Sequence, residues 1–164
     1  MQPLIETYWL SDDGLVPNNS AIPALVYRGA FGSLMSEQFI EDHFRRNGWS
    51  NAWVNGIYPF HHYHATVHEV LGIASGEAKV QFGGPAGPIL DLPTGDAVMI
   101  PAGVGHCRIG ASADLSVVGA YPEGADWDLV RATPEARQAA LAQISAVPPP
   151  RLDPVLGKAF RIPT

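Results

Sequence analysis

Asn55-Gly56-Ile57-Tyr58-Pro59-Phe60-His61-His62-Tyr63-His64-Ala65-Thr66-Val67-His68-Glu69, a run that closes at Gly76, holds four of the chain's six histidines. A fifth ends a second segment, Gly95-Asp96-Ala97-Val98-Met99-Ile100-Pro101-Ala102-Gly103-Val104-Gly105-His106. Neutral imidazole is the commonest protein metal ligand. A His-x-His pair, an acid five residues beyond it and one distant histidine therefore make a candidate metal site. Side chains on a strand alternate faces, so His62 and His64 point the same way. Glu69 follows a short loop, on the returning strand, where an antiparallel neighbour can set its carboxylate beside them. His106 joins them only where a closed barrel carries the second segment over the first.

The spacings are G-x5-H-x-H-x4-E-x6-G for Gly56, His62, His64, Glu69 and Gly76, and G-x5-P-x-G-x2-H for Gly95, Pro101, Gly103 and His106. They resemble the two signature motifs of the RmlC-like cupin superfamily. More narrowly, HHYHATVHEVLGIASGEAKVQFGG, IPAGVGHCRIG and VVGAYPEGADWDL are similar to the bacterial YjlB-like cupins, a likeness that brings no assigned reaction. The resemblance implies a mainly all-β fold, an antiparallel double-stranded β-helix (the jelly-roll barrel of cupins), with two short flanking helices. It also implies a metal held by His62, His64, Glu69 and His106, and a homodimer. One position departs from the pattern. The family usually carries Asn four residues after the second-motif histidine, and here that position is Gly110, which puts a packing contact rather than the ligand set in question.

At 164 residues the chain has the length of one domain with a real core, and we read residues 1–164 as a single barrel domain. The core spans about 53–121, preceded by N-terminal strands and a helix (1–52) and followed by a helix and an extended tail (122–164). Seventeen Gly and 15 Pro favour short strands joined by tight turns. A net charge of -6 argues against nucleic acid or an anionic membrane as partner, since both need a basic surface. No apolar run approaches the ~18–20 residues that span a bilayer, and Met1–Glu6 lacks the pattern of a signal peptide. The single cysteine, Cys107, excludes an intrachain disulfide and suits a reducing cytoplasm. Its alternation with His106 predicts a small buried apolar side chain rather than a nucleophile.

Strands are expected at Thr7–Leu10 and Ala24–Tyr27, then near 53–58, 61–64, 67–74, 78–83, 88–92, 97–100, 106–109 and 115–120. Turn signals at Ser75-Gly76, Gly83-Gly84-Pro85, Thr94-Gly95-Asp96 and Ala102-Gly103 separate most of them. Gly76 and Gly95 mark turns where positive φ is often needed. Phe39, Ile40, His43 and Phe44 share a helical face within 36–47, and Gly48 is its stop. A second helix is expected over 134–145, with Thr133 as N-cap and Pro134 at its first position. Pro148–Pro150 then enforce an extended tail.

Around the presumed metal, Tyr58 and Phe60 share the face of His62 and are pocket candidates, with core packing as the alternative. Arg108 shares the face of His106 and needs either a rim carboxylate or a substrate carboxylate. His68 reads as a solvated loop residue, with a role as spare ligand or pocket base kept open. His61 points away from His62 and His64, toward the sheet exterior. The segment Tyr121–Asp128 either caps the barrel mouth or anchors the C-terminal helix. Three imidazoles and a carboxylate suit Fe, Mn, Ni, Cu or Zn. The leading functional expectation is a metal-dependent enzyme for a small organic molecule, an organic acid if Arg108 faces the pocket, of oxygenase, isomerase or decarboxylase type. The alternative is a small-ligand-binding or sensory module, with or without metal, that turns nothing over.

Overall fold

The computed structural model describes residues 2–32 and 36–164. Eleven strands and two helices follow in the order β1 (Leu4–Leu10), β2 (Asn19–Arg28), α1 (Glu37–Arg46), β3 (Trp49–Asn55), β4 (His62–Tyr63), β5 (Glu69–Ser75), β6 (Glu77–Phe82), β7 (Ile89–Pro93), β8 (Ala97–Ile100), β9 (His106–Ala111), β10 (Ser116–Pro122), β11 (Val130–Arg131) and α2 (Pro134–Ser145). They form two antiparallel sheets, β1-β2-β8-β5-β10-β3 and β11-β4-β9-β6-β7. Crossovers such as β2 beside β8 and β6 beside β9 give the jelly-roll connectivity that the cupin resemblance implies.

Alternation along the strands builds two apolar layers from the larger sheet. Val26, Leu71, Ile73, Val98 and Val117 face inward and meet Val80, Phe82 and Leu92 of the smaller sheet. Leu25, Tyr27, Val70, Met99 and Val118 face outward, beneath Ile40 and Phe44 of α1. Helix α1 starts where the Ser36 hydroxyl accepts the Phe39 N–H and ends at Asn47, with Gly48 following. Full burial of Ile40 and Phe44 contributes about 1.5–3 kcal/mol for each side chain. Helix α2, capped by Thr133 on the Ala136 N–H, covers the outside of the smaller sheet through Ala140 and Ile144, against Tyr63 and Ala65.

Two expectations for the fold need correction. The third strand begins at Trp49 and ends at Asn55, so residues 56–60 are a loop and not strand. Gly56 and Pro59 interrupt pairing there. The tail after Pro150 is not simply extended. Leu152 pairs with Ala159, and Asp153 accepts the Val155 and Leu156 N–H groups and the Tyr27 hydroxyl proton, which folds the tail onto the core beside α1. The two-residue strand β11 had no sequence signal, because two residues cannot display a period. Gly76 and Gly95 do occupy the left-handed region, with φ of 70° and 96°. At Gly110 a β-carbon would meet only Lys79, at 4.0 Å, so the missing family Asn leaves open space rather than a strained contact.

Candidate metal centre

The fold brings the two histidine segments face to face. Strand β4 pairs with β9 at a single register position, His62 opposite His106. His64 follows β4, and its carbonyl accepts the Gly103 N–H at 2.7 Å, which ties the first segment to the bend of the second. Glu69 opens β5 in the other sheet, opposite Ile100 of β8. The histidines therefore come from the smaller sheet and the carboxylate from the larger, and they converge between the sheets at one end.

His64, Glu69 and His106 each offer one donor atom, and these atoms lie within 4.8 Å of one another, an arrangement able to hold a metal ion. His64 Nε2 and His106 Nε2 stand 3.3 and 3.4 Å from Glu69 Oε1. His62 adjoins this trio without belonging to it. Its ring centroid lies 4.0 Å from that of His106 and 6.1 Å from that of His64. All four side chains are buried.

The outer nitrogen of each imidazole is fixed by a backbone carbonyl. His62 Nδ1 meets Phe60 O at 2.9 Å, His106 Nδ1 meets Val104 O at 3.1 Å, and His64 Nδ1 meets Asp128 O. A carbonyl only accepts, so each Nδ1 carries the proton and donates it. In the neutral ring, Nε2 then keeps its lone pair. Metal-ligating histidines are held in this way by their outer partners. Glu69 is oriented similarly: Tyr121 donates its hydroxyl to Oε2 at 2.8 Å, and Trp53 Nε1 donates to the Tyr121 oxygen at 2.7 Å. Trp53 reaches this position by lying flat on Gly119, where a β-carbon would stand 2.2 Å from the indole.

Over 159 residues the chain is 42% identical to the "Uncharacterized protein YjlB" of Bacillus subtilis (strain 168), covering 96% of this chain and 94% of that protein. The chain belongs to the YjlB-like cupins. No protein-family model matches it. Among solved structures this cupin is similar to QdtA, a sugar 3,4-ketoisomerase from Thermoanaerobacterium thermosaccharolyticum, at 13% identity and a TM-score of 0.43, over 58% of this chain and 75% of that one. It is also similar to acireductone dioxygenase from Bacillus anthracis, which has a cadmium ion in its active centre, at 18% identity and a TM-score of 0.39, over 76% and 79% of the two chains. Likenesses of this degree leave the chemistry of the YjlB-like chain to its own residues.

Those residues line a cavity of about 380 Å³. The buried donors His62, His64, Glu69 and His106 are in its wall, with Tyr58 and Arg108 from among the pocket candidates. Phe60 and His68 are not in that wall. Phe60 is half-buried, edge-on to His62 at 5.5 Å, stacked on Tyr58 at 5.0 Å and covered by the Arg131 guanidinium at 4.4 Å. His68 is not solvated either, being only 1% exposed. Its Nδ1 accepts the Ala102 N–H at 2.9 Å, so its Nε2 carries the proton and donates to Pro148 O at 2.7 Å. It holds the proline tail to the second motif and is not part of the pocket. His61 is half-buried, faces away from the cavity, and its Nδ1 has no partner among the described residues.

The segment after β10 closes the mouth. Trp127 lines the cavity, stacked on Tyr121 at 6.0 Å. The Asp128 carboxylate accepts the backbone N–H groups of Ala65 and Thr66 and the Thr66 hydroxyl. From the sequence, Tyr121–Asp128 is offered as a cap of the barrel mouth, but Tyr121, Trp127, Asp128 and Trp53 are given no individual role in the site. The one available signal was the aromatic and acidic character of Tyr121–Asp128 beside the last long strand.

Electrostatics follow burial. Desolvation raises the Glu69 pKa, but the His64 and His106 imidazoles outweigh it and hold the carboxyl well below its ordinary range. Burial drives His62 down to about 3, reinforced by the neighbouring His106. For His64 burial lowers the pKa, and the Glu69 carboxylate more than reverses it, giving a net rise. Burial raises the Tyr121 hydroxyl, as does the Glu69 charge, so it stays a hydrogen-bond donor.

Proposed function

We propose that this YjlB-like cupin is a metal-dependent enzyme acting on a small organic molecule, with His62, His64, Glu69 and His106 holding one divalent transition-metal ion. The observation that carries the reading is the outer shell. Three carbonyl oxygens fix three Nδ1 protons, and Tyr121 occupies one carboxylate oxygen of Glu69. Lone pairs on Nε2 of His64 and His106 and on Glu69 Oε1 remain, turned toward one another in a buried space with the His62 ring beside them. A structural salt bridge needs no such uniform tautomer at the unpaired His62. Iron, manganese, nickel, copper and zinc all accept this donor set. When bound, such an ion polarises a carbonyl or hydroxyl group or, as iron, supports oxygenase chemistry. The protein's own part is to exclude water with Trp127 and Tyr58 at the mouth, and to orient the substrate within the walls of Trp53, Ile57 and Leu71.

Turnover is tested by incubating protein loaded in turn with iron, manganese, nickel, copper and zinc, beside the His64→Ala variant, with a small-molecule extract from bacterial cells. Mass spectrometry follows loss of substrate and appearance of product. Conversion by at least one metal form and not by the variant is expected. A compound retained by the loaded protein and released unchanged, with no conversion in any form, would replace the enzyme by a ligand-binding module.

A further inference from the structure

Among the described residues, Arg108 is the one arginine or lysine that lines the cavity, and Glu69 is the one carboxylate. Arg108 lies two residues after His106 on β9, so the two side chains leave the strand on the same face. Its backbone N–H donates to Tyr58 O at 3.0 Å, which ties β9 to the loop at the cavity mouth. Its Nη1 lies 4.0 Å from where a β-carbon on Gly56 would stand. The side chain is half-buried, and among the described residues its guanidinium has no carboxylate within ion-pair distance and no hydrogen-bond partner. Arg28, Arg45, Arg137 and Arg151 each meet a carboxylate. Glu69 forms no ion pair with Arg108; its partners are the Tyr121 hydroxyl at Oε2 and the two histidines beside Oε1.

We propose that Arg108 is the substrate-recognition residue of this cavity and that its substrate class is a small monocarboxylate. The inference rests on reading the cavity as a substrate site and adds the chemical class. A guanidinium offers five N–H donors in a planar fork, the geometry that takes a carboxylate through two parallel hydrogen bonds. One guanidinium with no lysine beside it matches a single negative charge, which favours a carboxylate over a phosphate dianion. The remaining walls, Trp53, Ile57, Leu71, Tyr121 and Trp127, suit an apolar or planar body. The volume of about 380 Å³ lies near the lower end for small-molecule sites.

The test uses the full chain with its metal content measured, and reads quenching of its tryptophans, two of which line the cavity. Acetate, 2-oxobutyrate, benzoate and salicylate are titrated, each against its neutral amide, with inorganic phosphate as a separate arm. Wild type should bind at least one acid about 10- to 100-fold more tightly than its amide, the range of charge-assisted hydrogen bonds. Arg108→Gln should abolish that preference, and Arg108→Lys should keep part of it. The inference is overturned if no acid is preferred, if Arg108→Gln keeps the full preference, or if phosphate binds more tightly than every carboxylate. Retained preference in Arg108→Gln would mean that another group reads the acid. A preference lost with Arg108 in protein that takes up no metal would sink the metalloenzyme reading and leave the role of Arg108 standing. Metal uptake without acid preference would do the reverse.

Discussion

Tyr121 donates its hydroxyl to Glu69 Oε2 at 2.8 Å, while Oε1 of the same carboxylate faces His64 and His106 at 3.3 and 3.4 Å. One oxygen belongs to the fold and the other to the site. Rotation of Glu69 about its last bond is thereby stopped at the angle that aims Oε1 into the trio. Trp53 in turn anchors the tyrosine oxygen, so the chain of contacts runs from β3 through β10 to β5.

Tyr121→Phe removes this restraint together with the acceptor of the Trp53 indole N–H. Metal affinity should fall about 10- to 100-fold, the usual effect of losing an outer partner of a ligand. Stability should fall by about 1–3 kcal/mol through the two lost hydrogen bonds. Competition against a chromophoric chelator measures the first and urea unfolding the second. Unchanged affinity would mean that Glu69 is positioned without Tyr121.

Asp128 closes the mouth by capping three donors of the segment after His64. Asp128→Ala should destabilise the protein by about 1–2 kcal/mol, roughly 2–8 °C in Tm for a domain of this size. Burial raises the Asp128 pKa, but the Thr66 hydroxyl and the Ala65 and Thr66 N–H groups outweigh it, so the net shift is downward. A depressed carboxylate contributes stability above its unfolded pKa of about 3.9 and loses it as pH falls through the folded value. The gap between wild type and Asp128→Ala should therefore be full at neutral pH and narrow below about pH 4. Calorimetry across that range decides it.

His68 gives an acid limb at milder pH. It is held neutral between Ala102 N–H and Pro148 O, and burial lowers its pKa. Below about 6.5 the unfolded chain takes up a proton that the folded chain refuses. Stability should be complete above that pH and decline as pH falls. In metal-free protein, His68→Asn should lower stability at pH 8 and flatten the decline between about pH 6.5 and 5. Some decline should persist, because His62 is also held neutral, with its pKa pushed down to about 3.

The same ring positions make metal uptake proton-linked. Without an ion, Glu69 favours a proton on His64, and that proton must leave before Nε2 can ligate. Uptake should release protons, and affinity should fall as pH drops through the raised His64 value. Titration calorimetry in buffers of differing ionisation enthalpy measures the release directly, and its absence below about pH 6.5, the ordinary imidazole value, would contradict the ligand role of His64.

How far the sequence predicts this arrangement depends on distance along the chain. His62 and His64 on one face, and Glu69 on the next strand, follow from local alternation. The opposition of His62 and His106 follows once β4 and β9 pair. The environment of His68 was not legible, since its carbonyl partner lies 80 residues away and no local pattern announces a buried imidazole in a loop. Phe60 was misplaced because Gly56 and Pro59 end β3 early and remove the alternation that would have turned it inward. The contact of Trp53 with Tyr121 depends on a register shift between Gly119 and Tyr121, which a strand period cannot reveal.

The most direct measurement is elemental analysis by plasma mass spectrometry on untagged protein purified without added metal or chelator, beside His64→Ala and His106→Ala. About one iron, manganese, nickel, copper or zinc ion per chain should be present in wild type and lost in both variants, which should remain folded. No metal in wild type and no uptake on titration, or full occupancy in either variant, would contradict the metal centre proposed here.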